Sequence, residues 1–325
     1  MNGPYHFDPH PFTWAILVAV AVAVVAGHRW LAGRSVQPIS WPRRQVTAFF
    51  AGWGVAAVAL TWPLGDLAAH WSLTALVTQR VLLVLAVTPL VLLGLPYDVL
   101  ERITRPTIVD TVLTWLRRPL AAIITVTALF VGSMAVPFVD AQSSSVWARG
   151  LFDLVVLTAG VVLWIPVLGR IPGIFRLRPV VRFGYLMVQA VVPAFLSFVV
   201  ILSGHAIYAT FVHSHQAIGL RPLNDQQVAG FVSKLSMLVV LVTVGGVVLS
   251  RATATRDQLG GEEPLLWADV ERQFQRAERQ RDARRAPVDG KPDRRTHRSN
   301  RPGGRGSIDS LGTYDPPGDS TPPDT

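Results

Sequence analysis

Cysteine is absent from this chain of 325 residues. Disulfides, thiolate metal sites and cysteine nucleophiles are thereby excluded. Acidic residues are few, 21 against 30 Lys and Arg, and only 16% of the chain is charged. No P-loop, no His-Glu-x-x-His and no Gly-x-Ser-x-Gly occurs, so the common signatures of nucleotide, zinc-protease and serine-hydrolase chemistry are missing. Met1–Pro11 holds no Lys or Arg, which argues against a cleaved secretory signal. No inverted repeat of the transporter kind is visible.

What the chain has is apolar length, with 50% of its residues hydrophobic. Seven runs stand out: Phe12–Leu31, Val46–Leu64, Leu73–Leu95, Pro119–Val136, Ala148–Leu168, Phe183–Ser203 and Gly230–Ser250. A bilayer core of about 30 Å takes roughly 20 helical residues at about 1.5 Å each. Backbone groups in lipid must be satisfied within their own segment, so the runs are expected to be helices. The expected fold class is an all-α, polytopic, seven-span bundle in the cell membrane. The first run exceeds a signal h-region and is expected to remain as a helix.

Arginines fall in alternate loops. The N-terminal segment has none, and the first loop has Arg29, Arg34, Arg43 and Arg44. Gly65–Trp71 has none, and the third loop has Arg102, Arg105, Arg117 and Arg118. Pro137–Trp147 has none, and the fifth loop has Arg170, Arg176, Arg178 and Arg182. The sixth has Arg221 alone before Lys234. The positive-inside rule then places the N-terminus outside and the C-terminus in the cytoplasm. The net charge of +9 reads as topology rather than as nucleic-acid binding.

The organisation follows as a short outer segment (1–11), a membrane domain (12–250), a charged cytoplasmic helix (251–285) and a disordered tail (286–325). Thr104–Leu116 reads either as an amphipathic interfacial helix or as an ordinary connection. Trp267–Arg285 mixes both charge signs at helical spacing. From Ala286 on, Pro, Gly, Asp, Arg and Ser leave too little apolar surface to offset chain entropy.

An ionisable group at membrane depth is costly and therefore a candidate site. Arg80 lies seven residues into the third run and Asp153 five residues into the fifth, with Arg149 one turn above Asp153. The expected arrangement is an Arg80–Asp153 ion pair between helices, fixing packing rather than performing chemistry. Gln79, Gln189 and Lys234 are expected in the same outward polar pocket. Six of the eight histidines fall on the outer side: His6, His10, His70, His205, His213 and His215. Imidazole suits copper and zinc. A metal site from His70, His205, His213 and His215 stands as one reading, solvated loop histidines as the other.

Three stretches resemble a known family: Gln79-Arg-Val-Leu-Leu through Pro89-Leu-Val-Leu-Leu-Gly94-Leu-Pro96, Ala159-Gly-Val-Val-Leu-Trp164-Ile-Pro166, and Pro222-Leu-Asn-Asp225-Gln226-Gln-Val-Ala-Gly230. Together they resemble the CtaG family, seven-span assembly factors of cytochrome c oxidase linked to copper delivery. The resemblance covers roughly Phe12 to Ser250, and the Asp-Gln-x-x-Ala/Gly-Gly element is its most specific part.

The family's His-Met-x-Gln-His in the third span reads Leu76, Val77, Thr78, Gln79 and Arg80 here. Its Trp-His-x-Pro after the fourth span reads Met134, Ala135, Val136 and Pro137, and its paired histidines align with Arg149 and Asp153. The resemblance therefore implies the fold and a role in oxidase assembly, with oxidase subunits or assembly intermediates and the bilayer as partners. It implies copper only if the outer histidines hold it, because Arg offers no lone pair. The residues also admit two other classes. One is a small-solute or ion transporter around Arg80, Asp153 and Lys234. The other, an enzyme using Asp225 or Asp66 as acid–base groups, is not expected: Asp225 reads as a helix cap and Asp66 as a turn residue.

Overall fold

The computed structural model describes residues 6–34, 40–116, 118–170 and 177–258, with 275, 276 and 278 beyond them. The helix expected over Trp267–Arg285, those three residues apart, and the tail from Ala286 lie outside this range. Among the described residues every regular element is helical.

The chain opens with α1 (Pro11–Ala32), α2 (Arg43–Leu60) and the short α3 (Leu64–His70). The third span consists of α4 (Leu73–Leu82), a single π turn (Leu83–Val87) and α5 (Thr88–Gly94). Two short helices, α6 (Tyr97–Thr104) and α7 (Thr107–Leu116), follow. Next come α8 (Pro119–Gly132), α9 (Val136–Ser144), α10 (Val146–Leu168) and α11 (Pro179–Leu202). A 3-10 turn (Ala209–Phe211) and α12 (Ser214–Ile218) lead into the long α13 (Pro222–Gln258).

Six of these helical stretches are long and apolar enough to cross a bilayer: Pro11–Ala32, Arg43–His70, Leu73–Gly94, Val146–Leu168, Pro179–Leu202 and Pro222–Ala254. They coincide with six of the seven apolar runs. The last helix continues past Ser250 to Gln258. The fourth run differs from a single helix over Pro119–Val136, because α8 stops at Gly132 and α9 leaves it at a 58° bend. The 14 residues of α8 rise about 21 Å, short of a bilayer core. Pro137 contributes to the break, since it has no N–H to return to the Ser133 carbonyl, and it sits in the first turn of α9, where a missing N–H is tolerated.

The interior is built of close helix pairs. α11 runs along α13, α13 also packs on α4, α10 packs on α8 and on the π turn, and α2 packs on α5. Without a hydrophobic drive between helices in lipid, small residues at the crossings let backbones approach. Gly94 is the extreme case: a Cβ there would stand 2.3 Å from the backbone nitrogen of Phe49. Leu83, Val84, Ala122, Val156, Ala159, Leu186 and Leu241 are sealed inside.

Candidate functional site

The centre of the bundle holds a cation. Arg80, on α4, is 1% exposed. Its guanidinium reaches the break in the fourth span: Nη1 donates to Ser133 Oγ at 3.0 Å and to Met134 Sδ, and Nη2 donates to Gln142 Oε1 at 2.6 Å. Each acceptor is itself held. Ser133 Oγ donates to the Phe130 carbonyl at 2.7 Å, and Gln142 Nε2 to the Phe138 carbonyl at 2.8 Å. The Tyr208 hydroxyl donates to the Met134 carbonyl at 2.7 Å. Burial pushes the Tyr208 phenol above its ordinary pKa, with the Arg80 cation opposing, so it serves as a neutral donor. Where α8 ends, the Met134 carbonyl is thus met by Tyr208 from another part of the fold, while Arg80 holds the side chains of Ser133, Met134 and Gln142.

The direct Arg80–Asp153 ion pair expected from the sequence is replaced by this arrangement. Among the described residues no ion pair joins the two. The arms of the fork are taken by Ser133, Met134 and Gln142, which the α8–α9 break brings closer than α10 does. Asp153 remains within electrostatic reach of both Arg80 and Arg149. It balances the cation at a distance rather than by contact.

Toward α3 and the start of α10 the ionisable groups continue in a row. Arg149 Nη2 meets His70 Nε2 at 3.1 Å. A guanidinium can only donate, so that ring nitrogen accepts and carries no proton. His10 Nε2 lies 2.6 Å from Asp66 Oδ1. Asp66 Oδ2 and Arg149 Nε are buried without a protein partner. Asp153 lies in electrostatic reach of Arg80 and Arg149, and His70, Asp66 and His10 extend the series beyond the residues expected from sequence to pair.

Asp225 caps a helix, but not its own. It is fully buried in the first turn of α13, and its carboxylate accepts from the backbone N–H groups of Leu73 at 2.8 Å and Thr74 at 3.1 Å, and from Ser72 Oγ at 2.9 Å. Those are orphan donors at the start of α4, where a negative charge is favourable. Gln226 beside it accepts from the Ile207 N–H at 2.6 Å and donates to the Val200 and His205 carbonyls. One dipeptide therefore ties together the start of α4, the end of α11 and the start of α13. Gly230, one turn further, faces α11, where a Cβ would meet Ile201 at 2.6 Å.

The other motif residues shape the π turn. Pro89 has no N–H for the Val84 carbonyl five residues before it. That carbonyl instead accepts the Trp164 indole N–H at 2.7 Å. Thr88 Oγ1 donates to the Leu83 carbonyl at 2.6 Å, and a Cβ on Gly160 would stand 2.4 Å from that oxygen. Trp41 Nε1 donates to the Gly94 carbonyl at 2.9 Å, Pro96 precedes the first turn of α6, and Pro166 sits buried near the end of α10. Such π turns often mark functional positions in helices.

A small cleft with about 30 Å³ of free space opens beside Arg80, walled by α4, α8, α11 and α13. Gln79, Gln189 and Lys234, expected to line a common pocket, do not line it. Gln79 is buried elsewhere on α4, and Gln189 Nε2 donates to the Tyr185 hydroxyl at 3.4 Å. The Lys234 ammonium lies 3.8 Å over the ring of Phe198. His6, His205, His213 and His215 are exposed.

Copper fits this donor set poorly. Among the described residues no three His, Asp or Glu side chains converge. At the centre stand a guanidinium without a lone pair and a thioether already engaged by it. Ser133, Gln142 and Tyr208 were not singled out from sequence. A neutral polar side chain signals little alone, and the fourth apolar run was read straight through Ser133.

A family model described as cytochrome c oxidase caa3 assembly factor (Caa3_CtaG) matches residues 17–255. No curated protein and no solved structure matches the chain.

Proposed function

The chain belongs to the cytochrome c oxidase caa3 assembly factor family, and from that premise we propose that it assists maturation of a respiratory terminal oxidase through protein contacts made within the membrane. The family match over residues 17–255, which takes in every candidate span in part or whole, carries the reading. Its partners on this reading are oxidase subunits or their assembly intermediates, met in the cell membrane by a seven-span bundle. Counting the bent α8–α9 pair as one span gives seven, and the arginine alternation sets the N-terminus outside and the C-terminus in the cytoplasm.

The role requires no catalysis, and the motif residues support that. Asp225, Gln226, Trp164, Pro89 and Gly94 all bond or pack within the bundle, as a scaffold needs. Direct copper transfer is the weaker form of the proposal. It would rest on His70, His205, His213 and His215, because the Arg80 centre supplies no suitable ligand set. Neither the family match nor the geometry supports a solute or ion transporter.

Deletion of the gene is the test. Cytochrome c oxidase activity in membranes should fall and return when the intact chain is restored; unchanged activity overturns the assembly role. Copper(I) titration of the purified protein, against the variant with all four histidines replaced by alanine, separates the two forms. Stoichiometric binding lost in that variant moves the copper role to the outer loops, and binding at background removes it.

A further inference from the structure

Lys234 departs from the pattern of the other charges carried by the spans. Arg80 and Asp225 are sealed inside the bundle and hydrogen-bonded there. Lys234, within the span Pro222–Ala254, is only half-buried and lies on the bundle surface. Its ammonium stands 3.8 Å over the Phe198 ring. Among the described residues it has no carboxylate partner and no oxygen takes its N–H groups. A ring face attracts a cation but supplies no lone pair, so the ammonium's donors stay open.

The surface around this cation is apolar. Phe195, Phe198 and Leu202 recur at helical spacing on α11, as do Phe231, Leu235 and Leu238 on α13, and all six are exposed. The two helices run along each other, and the Lys234–Phe198 contact joins the two rows into one face. That apolar face continues past the cation, since Leu202 stands about 6 Å beyond Phe198 along α11. The ammonium therefore rests within the apolar zone rather than at its edge. Ionisable side chains at such depth ordinarily face a bundle interior or pair with one another.

We infer that the α11–α13 face docks a transmembrane helix of an oxidase subunit or assembly intermediate, one that carries an Asp or Glu at the depth of Lys234. The carboxylate accepts the open N–H groups, and the two apolar rows pack against the flanking turns. Lipid chains cover those rows equally well but leave the charge unanswered, and a lipid phosphate sits beyond the Leu202 end. The identity of the partner rests on the assembly reading; its chemistry rests on Lys234.

The test uses the full chain carrying a donor dye on Thr253→Cys, in phosphatidylcholine vesicles at mildly alkaline pH. Synthetic leucine–alanine membrane helices with an acceptor dye carry either Glu or Gln one turn inside one end. By energy transfer the Glu helix should associate at least tenfold more tightly than the Gln helix. Lys234→Met should remove that preference without lowering the unfolding midpoint, and Lys234→Glu should transfer it to a helix bearing Lys. In the deletion strain, Lys234→Met should restore less oxidase activity than the parent chain. Equal association of the Glu and Gln helices, or a preference that survives Lys234→Met, overturns the inference. Loss of the preference when phosphatidylglycerol is added also overturns it and assigns the cation to a headgroup. No oxidase is present in the vesicles, so failure there leaves the assembly role standing. Unchanged oxidase activity on deletion removes the assembly role and leaves the helix preference intact.

Discussion

Single residues in this bundle act by completing hydrogen bonds that another segment leaves open. Asp225 is the clearest case, with three donors from the start of α4 converging on one carboxylate. Bonds to a charged group contribute about 1.5–3 kcal/mol, and a stranded buried donor costs about 1–3 kcal/mol. Asp225→Ala should therefore destabilise the protein by about 3 kcal/mol or more, and Asp225→Asn by less, since one oxygen still accepts. Thermal unfolding in detergent reads both; an Asp225→Ala protein as stable as the parent removes the trans-cap account. Trp164→Phe keeps most of the ring volume but strands the Val84 carbonyl, for an expected loss of about 1–3 kcal/mol in the same assay. Arg80→Lys keeps the charge yet cannot serve Ser133 and Gln142 with a planar fork, so it should lower stability too. The depth of Arg80 and the helix-end position of Asp225 were legible in the sequence. Their partners were not: Gln142 lies 62 residues from Arg80, and Ser72 lies 153 residues from Asp225. Only the fold makes those distances short.

At the scale of elements, helix spacing is set by where backbones touch. Gly94→Ala would drive a methyl into the Phe49 backbone, which has no rotamer with which to yield. It should cost about 3 kcal/mol, at the upper end for overpacking. Gly132→Ala meets nothing within 4 Å and should be neutral or slightly stabilising, because Ala is the better helix former by about 0.5–1 kcal/mol. Unfolding midpoints for the pair give the answer, and similar values for both would contradict the close-approach account. Hydropathy alone located six spans, because each is long, apolar and free of interior breaks that bend it strongly. It could not resolve the fourth, where the ladder is interrupted between Gly132 and Val136 and Tyr208 meets the Met134 carbonyl from elsewhere. The π turn also left no hydropathic trace, since all five of its residues are apolar.

For the whole molecule the open question is orientation, and the absence of cysteine makes it directly measurable. Single cysteines at Ser144 and Thr210 should react with an impermeant maleimide added to intact cells. One at Thr253 should react only after the membrane is opened. The reverse pattern would invert the topology read from the arginines. A last consequence concerns chain length. A π turn accommodates one more residue than an α turn without rotating the helix on either side. Removing one residue from Leu83–Val87 should therefore leave Arg80 and Gly94 in phase with their present neighbours, with Pro89 still leaving one carbonyl of the preceding turn open to Trp164. A relative shorter by one residue at this point would keep the same bundle and the tie between its third and fifth spans, so a gap there in an alignment marks a local tightening of one turn rather than a change of fold.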